Sequence, residues 1–146
     1  METTKNSDNK YSGFIDGYIA GNIEANVVQL NLHYDNIIKF IREFEQEVKK
    51  SIFNKPGSEE LPKLISAITN DSLNQSDEII LYTNLGENLK SLLLLLVPYK
   101  GDVPPYTLFL FKKIIYHYLN IAKTVNVVSI LDFAKFLADK YASTWG

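Results

Sequence analysis

Eight apolar residues between positions 23 and 48 do most to limit what this chain can become. Ile23, Val27, Leu30, Tyr34, Ile37, Ile41, Phe44 and Val48 follow one another at intervals of four, three, four, three, four, three and four. That spacing lays an unbroken apolar seam along an α-helix; a strand would turn successive residues to opposite faces. Ile38 and Phe40 widen the seam, which at 1.5 Å per residue is roughly 39 Å long. Asn22 is placed to cap the helix, and Lys49, Lys50 and Lys55 suit the negative end of its dipole. Pro56-Gly57 stops it. The prediction is one long helix over about 22–53, and such a helix must bury its seam against other helices or against a second copy of itself.

The remainder of the chain repeats the helical period in shorter pieces. Leu61, Leu64, Ile65 and Ile68 share a face of a helix from Glu59 to about Thr69, with Ser58 as its expected cap and Pro62 tolerated in the first turn. Ile79, Tyr82, Leu85, Leu89, Leu92 and Leu96 mark a helix over 77–97, which Gly86 and the Asn84…Glu87 capping-box spacing can split in two. A helix over about 106–123 is apolar around much of its first half, where Phe109 and Leu110 extend the coverage given by Leu108, Phe111 and Ile115. Such a helix belongs at the centre of a bundle. A last helix runs over about 128–142. Residues 1–10 are polar and read as a disordered tail, leaving 11–146 as one domain. Gly13, Gly17 and Gly21 leave one helical stripe bare in a short arm that would dock through Phe14, Ile15, Tyr18 and Ile19. The fold class is all-α: a single-domain bundle of five or six helices, with no internal repeat.

The run SLLLLLVPYKGDVPPYTLFLFKKIIYHYLN, residues 91–120, raises the question of a membrane. A span needs about 20 consecutive apolar residues. Leu92 to Val97 supplies six behind Lys90, and the second run meets Lys112-Lys113 within a few residues. Two lysines deep in a span would each cost about 2.5–3.5 kcal/mol, so the stretch reads as a helix–turn–helix inside a bundle.

Several chemistries find no support. The chain has no cysteine, hence no disulfide, thiolate nucleophile or zinc–thiolate site, and it suits a reducing compartment. Its N-terminus, METTKNSDNK, has no apolar core of a secretion signal, so the expected location is the cytoplasm. Among 15 basic residues only Arg42 is arginine, and the formal net charge is −2, which together weigh against nucleic-acid binding. Lys112-Lys113 among Tyr106, Tyr116 and Tyr118 is the one small basic–aromatic patch. His33 and His117 belong to no HExxH or i,i+4 pair, and His33 and Asp35 lie on different helical faces. A metal site would need these two distant histidines to converge, with carboxylates beside them. Glu43, Glu45 and Glu47 form a solvated face, and Asp132 and Asp139 stand too far apart to share a proton. No nucleophile elbow or phosphate loop is present. The expectation is therefore no catalytic residue, no cofactor and no resident metal.

Binding to protein remains. Nine tyrosines in 146 residues exceed what a core needs, and a rigid ring offers contact area at little entropic cost. Tyr99, Pro104, Pro105 and Tyr106 sit on the turn that leaves the bundle, and Trp145 stands next to the last residue; these five are the expected partner-binding residues. The 23–48 seam is an expected surface for self-association. The expected role is a non-enzymatic adaptor or complex subunit. A second expectation, a groove that takes an amphipathic helical peptide, resembles the architecture of viral Bcl-2-like apoptosis regulators, which also wrap helices around an apolar central one. The Trp-Gly that opens the central helix in that family is missing near residue 106; here Trp-Gly stands at Trp145-Gly146. A third expectation is a helical subunit of a nucleic-acid-associated complex.

Overall fold

The computed structural model describes residues 27–71 and 77–146. Among the described residues there are five α-helices: α1 (Val27–Ser51), α2 (Glu60–Asp71), α3 (Glu78–Leu96), α4 (Pro105–Val125) and α5 (Val128–Trp145), with a 3-10 turn over Val97–Asp102 between α3 and α4. No strand occurs among the described residues, and the all-α bundle predicted from periodicity is the fold. The expected tail over 1–10, the glycine stripe, the Asn22 cap and the first seam residue, Ile23, lie outside the described residues.

The long seam of α1 is covered within the chain. Leu30, Ile37, Ile41, Phe44 and Val48 are all buried, and α1 lies antiparallel along α4, where His33 meets His117 and Phe44 meets Phe111 at 5.5 Å between ring centroids. These five positions of the seam are thus spent on contacts inside the chain, while Tyr34 is half-buried. The loop after α1 folds tightly: the amides of Ile52 and Phe53 both donate to the Val48 carbonyl, at 2.8 and 2.9 Å. Ser58, expected to cap α2, instead shares its hydroxyl proton between the carbonyls of Phe53 and Lys55, at 2.9 and 2.7 Å, and closes the loop.

α3 is one continuous helix. Its cap is Asp77, whose carboxylate accepts from the amides of Ile79 and Ile80 at 2.9 and 3.3 Å. Gly86 makes no break; it sits mid-helix because another side chain occupies the space where a Cβ would stand. A methyl there would lie 2.8 Å from Cζ of Tyr118 and 2.7 Å from Cδ2 of Phe133, with the Tyr118 hydroxyl closer still. Tyr118 is fully buried and donates from its hydroxyl to the Tyr82 carbonyl at 2.8 Å, so α4 presses on α3 at this glycine.

α5 runs parallel to α3 and antiparallel to α4. Phe133 abuts Gly86, the Lys90 ammonium lies 4.6 Å from the centroid of the Phe136 ring, and Tyr141 donates to the Leu108 carbonyl at 3.2 Å. The turn between α4 and α5 hangs on Asn126, which adopts the left-handed conformation (φ 54°, ψ 42°) and returns its amide to the Ala122 carbonyl. Thus the valine-rich stretch around 125–128 is a helix stop and restart. One apolar cluster joins all five helices.

Glu78–Asp102 is long and apolar enough, by length and composition, to cross a membrane, with a mean hydropathy of 1.2; no other described helix is. In the bundle Leu85, Leu89, Leu92, Leu93 and Leu96 of this stretch are buried in the core. Of the five consecutive leucines, Leu94 is exposed and Leu95 half-buried, and both turn toward α2.

Candidate functional site

The turn residues expected to meet a partner divide into two groups. Tyr99 donates from its hydroxyl to the Pro56 carbonyl at 2.7 Å, beside Gly57, whose positive φ (86°) belongs to the same loop. Lys55 and Asp102 add an exposed ion pair at 3.8 Å between the same segments. From the other side the Trp145 indole N–H donates to the Lys100 carbonyl at 3.2 Å, and its ring packs against Tyr141 at 5.5 Å between centroids. Tyr99 and Trp145 therefore fasten the 3-10 turn to the α1–α2 loop and to the end of α5. Pro104 and Pro105 start α4: Pro104 is extended, and Pro105 fills the first helical position, where its missing N–H costs nothing. Of the five residues, Tyr106 is the large aromatic left open to water, at 50% exposure.

Tyr106 does not stand alone. It begins a ridge on the outward face of α4, where spacings of three, four and three residues bring in Phe109, Lys113 and Tyr116. Phe109 is 49% and Tyr116 39% exposed. The Tyr106 and Phe109 rings stack with centroids 6.3 Å apart, and the Lys113 ammonium lies 5.4 Å from the Phe109 centroid. Tyr116 meets the edge of His117 at 5.3 Å, and His117 stacks on Phe40 of α1, which carries Lys39 at 5.6 Å. Aromatic faces and the ammonium groups of Lys39 and Lys113 thus alternate across the α4–α1 seam, with Lys112 exposed on the same helix.

Phe109 reads as core coverage in the sequence because it sits inside the run Leu108–Phe111. The cue that places it outside is Lys112-Lys113, which marks the solvent side of α4 one turn further on. By the same geometry Tyr118, grouped by sequence with the basic patch, is buried.

A second concavity lies between α2 and α3. Leu64 and Ala67 on one side and Leu94 and Leu95 on the other line a groove of about 560 Å³, with Glu60 and Lys63 at its rim. Leu94 is 44% exposed there.

The two histidines, 84 residues apart, do converge: their Nδ1 atoms are 2.9 Å apart, one ring donating N–H and the other accepting. Burial lowers the pKa of His33, and burial, then His33, then Lys113 lower that of His117 to about 4. No group of three histidine, cysteine or carboxylate side chains gathers among the described residues.

The fold and this surface define a helical bundle with an outward aromatic–lysine ridge. The chain matches no protein-family profile, no curated protein and no solved structure.

Proposed function

We propose that this chain is a non-enzymatic protein-binding module whose α4 ridge receives a partner segment carrying apolar and acidic side chains. The observation that carries the reading is the shared exposure of Tyr106, Phe109 and Tyr116 on the helix whose other faces are the most deeply buried. Three large rings on a rigid helix present anchor area without the entropic cost of ordering a loop, and aromatic anchors dominate interface energetics. The lysines at 39, 112 and 113 favour acidic complements and disfavour basic ones.

The test is calorimetric titration of the folded chain with amphipathic helical peptides that differ in flanking charge. Acidic peptides should bind, Phe109→Ala and Tyr106→Ala should each weaken binding at least fivefold, and Lys113→Glu should weaken it further. Equal binding of acidic and basic peptides, or indifference to all three substitutions, refutes the reading. An oligonucleotide arm separates the other use of such a ridge, base stacking: tight, steeply salt-dependent binding of single strands would replace protein by nucleic acid as the ligand.

The groove between α2 and α3 favours a second reading, capture of one face of an amphipathic helix by Leu64, Ala67, Leu94 and Leu95. Leu94→Asp should abolish binding if the groove is the site and leave it unchanged if the α4 ridge is.

A further inference from the structure

His33 and His117 are the chain's only histidines, and the fold sets them face to face. Their helices, α1 and α4, form the most extensive helix pair of the bundle. Both rings are half-buried, so both are held in place and both are reachable from solvent. The Phe40 ring stacks on His117 at 5.8 Å and 18°, and the Tyr116 ring meets its edge at 5.3 Å, which fixes the imidazole plane. The two imidazoles are tilted 44° to each other with centroids 5.2 Å apart.

The 2.9 Å between the Nδ1 atoms is an ordinary N–H···N hydrogen bond, and it is also the edge of a particular coordination polyhedron. With metal–nitrogen bonds of about 2.0–2.1 Å, two ligands at a right angle lie about 2.9 Å apart, whereas two at the tetrahedral angle lie about 3.3 Å apart. Right-angled ligation is shared by octahedral, tetragonal and square-planar ions and excludes the tetrahedral arrangement, and among the first group Cu(II) and Ni(II) bind nitrogen donors most tightly. We propose that the two Nδ1 atoms form a bidentate site, bridging α1 and α4, for a divalent ion of tetragonal preference, Cu(II) or Ni(II), with water in its other positions.

Metal entry needs two rearrangements: a proton shift, and an in-plane turn of both rings that swings their Nδ1 lone pairs off the N–N line of the hydrogen bond and toward the ion. The ring that donates its Nδ1 proton in the hydrogen-bonded pair moves that proton to Nε2, so both Nδ1 lone pairs are open to the ion and the pair stays neutral overall. Burial already favours the neutral imidazoles that ligation requires. The charged group that acts on His117 is Lys113 on its own helix, which opposes a cation; from α1 the neighbours are His33 and the Phe40 ring. Because the ion would tie two helices together, it stabilises the folded chain by linkage.

The experiment titrates the metal-free full chain with NiCl₂, CuCl₂ and ZnCl₂ in a non-coordinating buffer, reading heat, melting temperature and, for Cu(II), nitrogen hyperfine structure in the electron paramagnetic resonance spectrum. Binding of Ni(II) or Cu(II) that raises the melting temperature, and that falls at least tenfold in His33→Gln and in His117→Gln, is expected. Lys113→Gln should tighten it, an effect that lost packing cannot mimic. Cu(II) should show two equivalent imidazole nitrogens. Equal binding by the wild type and the His33→Gln/His117→Gln chain overturns the site, as does absence of binding in the wild type. Tighter binding of Zn(II) than of Ni(II) overturns the tetragonal geometry. Should His117→Gln unfold the chain, His33→Gln removes the other half-buried ligand and tests the same bidentate ligation.

Discussion

Gly86→Ala offers a direct test of how α3, α4 and α5 fit together. On propensity alone the substitution should help: alanine is favoured over glycine by about 1 kcal/mol inside a helix. Packing argues the opposite. The added methyl would lie 2.8 Å from Cζ of Tyr118 and 2.7 Å from Cδ2 of Phe133, with the Tyr118 hydroxyl nearer than either. These are ring atoms of buried or half-buried side chains, and neither ring can swing aside within a close-packed core. Overpacking of this kind costs about 1–3 kcal/mol. Pushing Tyr118 back also stretches its 2.8 Å hydrogen bond to the Tyr82 carbonyl, a further loss of about 1–3 kcal/mol if the buried hydroxyl is left unpaired. Setting both against the propensity gain leaves a net destabilisation of about 1–5 kcal/mol, or a fall in melting temperature of roughly 3–15 °C.

Urea denaturation of Gly86→Ala, Tyr118→Phe and the double variant measures this. Tyr118→Phe removes the closest clashing atom, so the alanine should cost about 1 kcal/mol less in that background. If Gly86→Ala is neutral or stabilising, the close approach of α4 to α3 is wrong, and Gly86 is merely a weak point in the helix. Additive effects in the double variant would instead place the strain on Phe133 alone.

Three further outcomes follow from other parts of the fold. His117 has its pKa lowered to about 4 in the folded chain against 6.5 unfolded, so the unfolded state takes up the proton first; stability is complete above pH 6.5 and declines as pH falls from there toward 4. Urea midpoints measured across pH 5–7 should show this slope and show less of it in His117→Gln. Asn126 holds a left-handed conformation, so Asn126→Gly should be neutral or slightly stabilising, whereas Asn126→Val should cost about 1–2 kcal/mol by thermal denaturation. Tyr99→Phe and Trp145→Phe each delete one exposed hydrogen bond that anchors the 3-10 turn and should each cost about 0.5–1 kcal/mol, while Tyr106→Ala should stay within about 0.5 kcal/mol of the wild type.

Local rules made the helices legible. The seam of α1, a helix over 77–97 and one beginning near 106 follow from periodicity; the Asp77 cap and the helical position of Pro105 do not, and α1 ends at Ser51, ahead of the Pro56-Gly57 stop. What sequence did not reveal depends on partners distant along the chain. Gly86 looks like a helix break until the Tyr118 ring, 32 positions later, is known to cross it. Ser58 has the chemistry of a cap, and only the path of the preceding loop decides that its proton goes back to Phe53 and Lys55. Tyr99 and Trp145 have the chemistry of interface anchors, yet their polar atoms meet backbone carbonyls 43 and 45 residues away. His33 and His117 share no local pattern, and antiparallel packing of α1 on α4 is what makes them neighbours.

These relations separate folding from recognition on a single helix. Along α4 the inward residues Phe111, Ile114, Ile115 and Tyr118 are buried, and Tyr118 in addition requires a glycine opposite it. The outward residues Tyr106, Phe109 and Tyr116 keep four-tenths to half of their surface, and the lysines between them keep that face wet. Tyr116 and Tyr118 stand two positions apart, nearly opposite on the helix, and differ in every respect that matters: one ring lies against a histidine at the surface, the other hydrogen-bonds inside the core. An abundance of tyrosine, read as a single property, therefore conceals two populations. The buried one sets how closely α3 and α4 approach, and through that approach it holds the exposed one on a backbone with little freedom to move. Rigid placement is what lets a few half-exposed rings serve as anchors, because the entropy of ordering them is lost on folding and not again on contact.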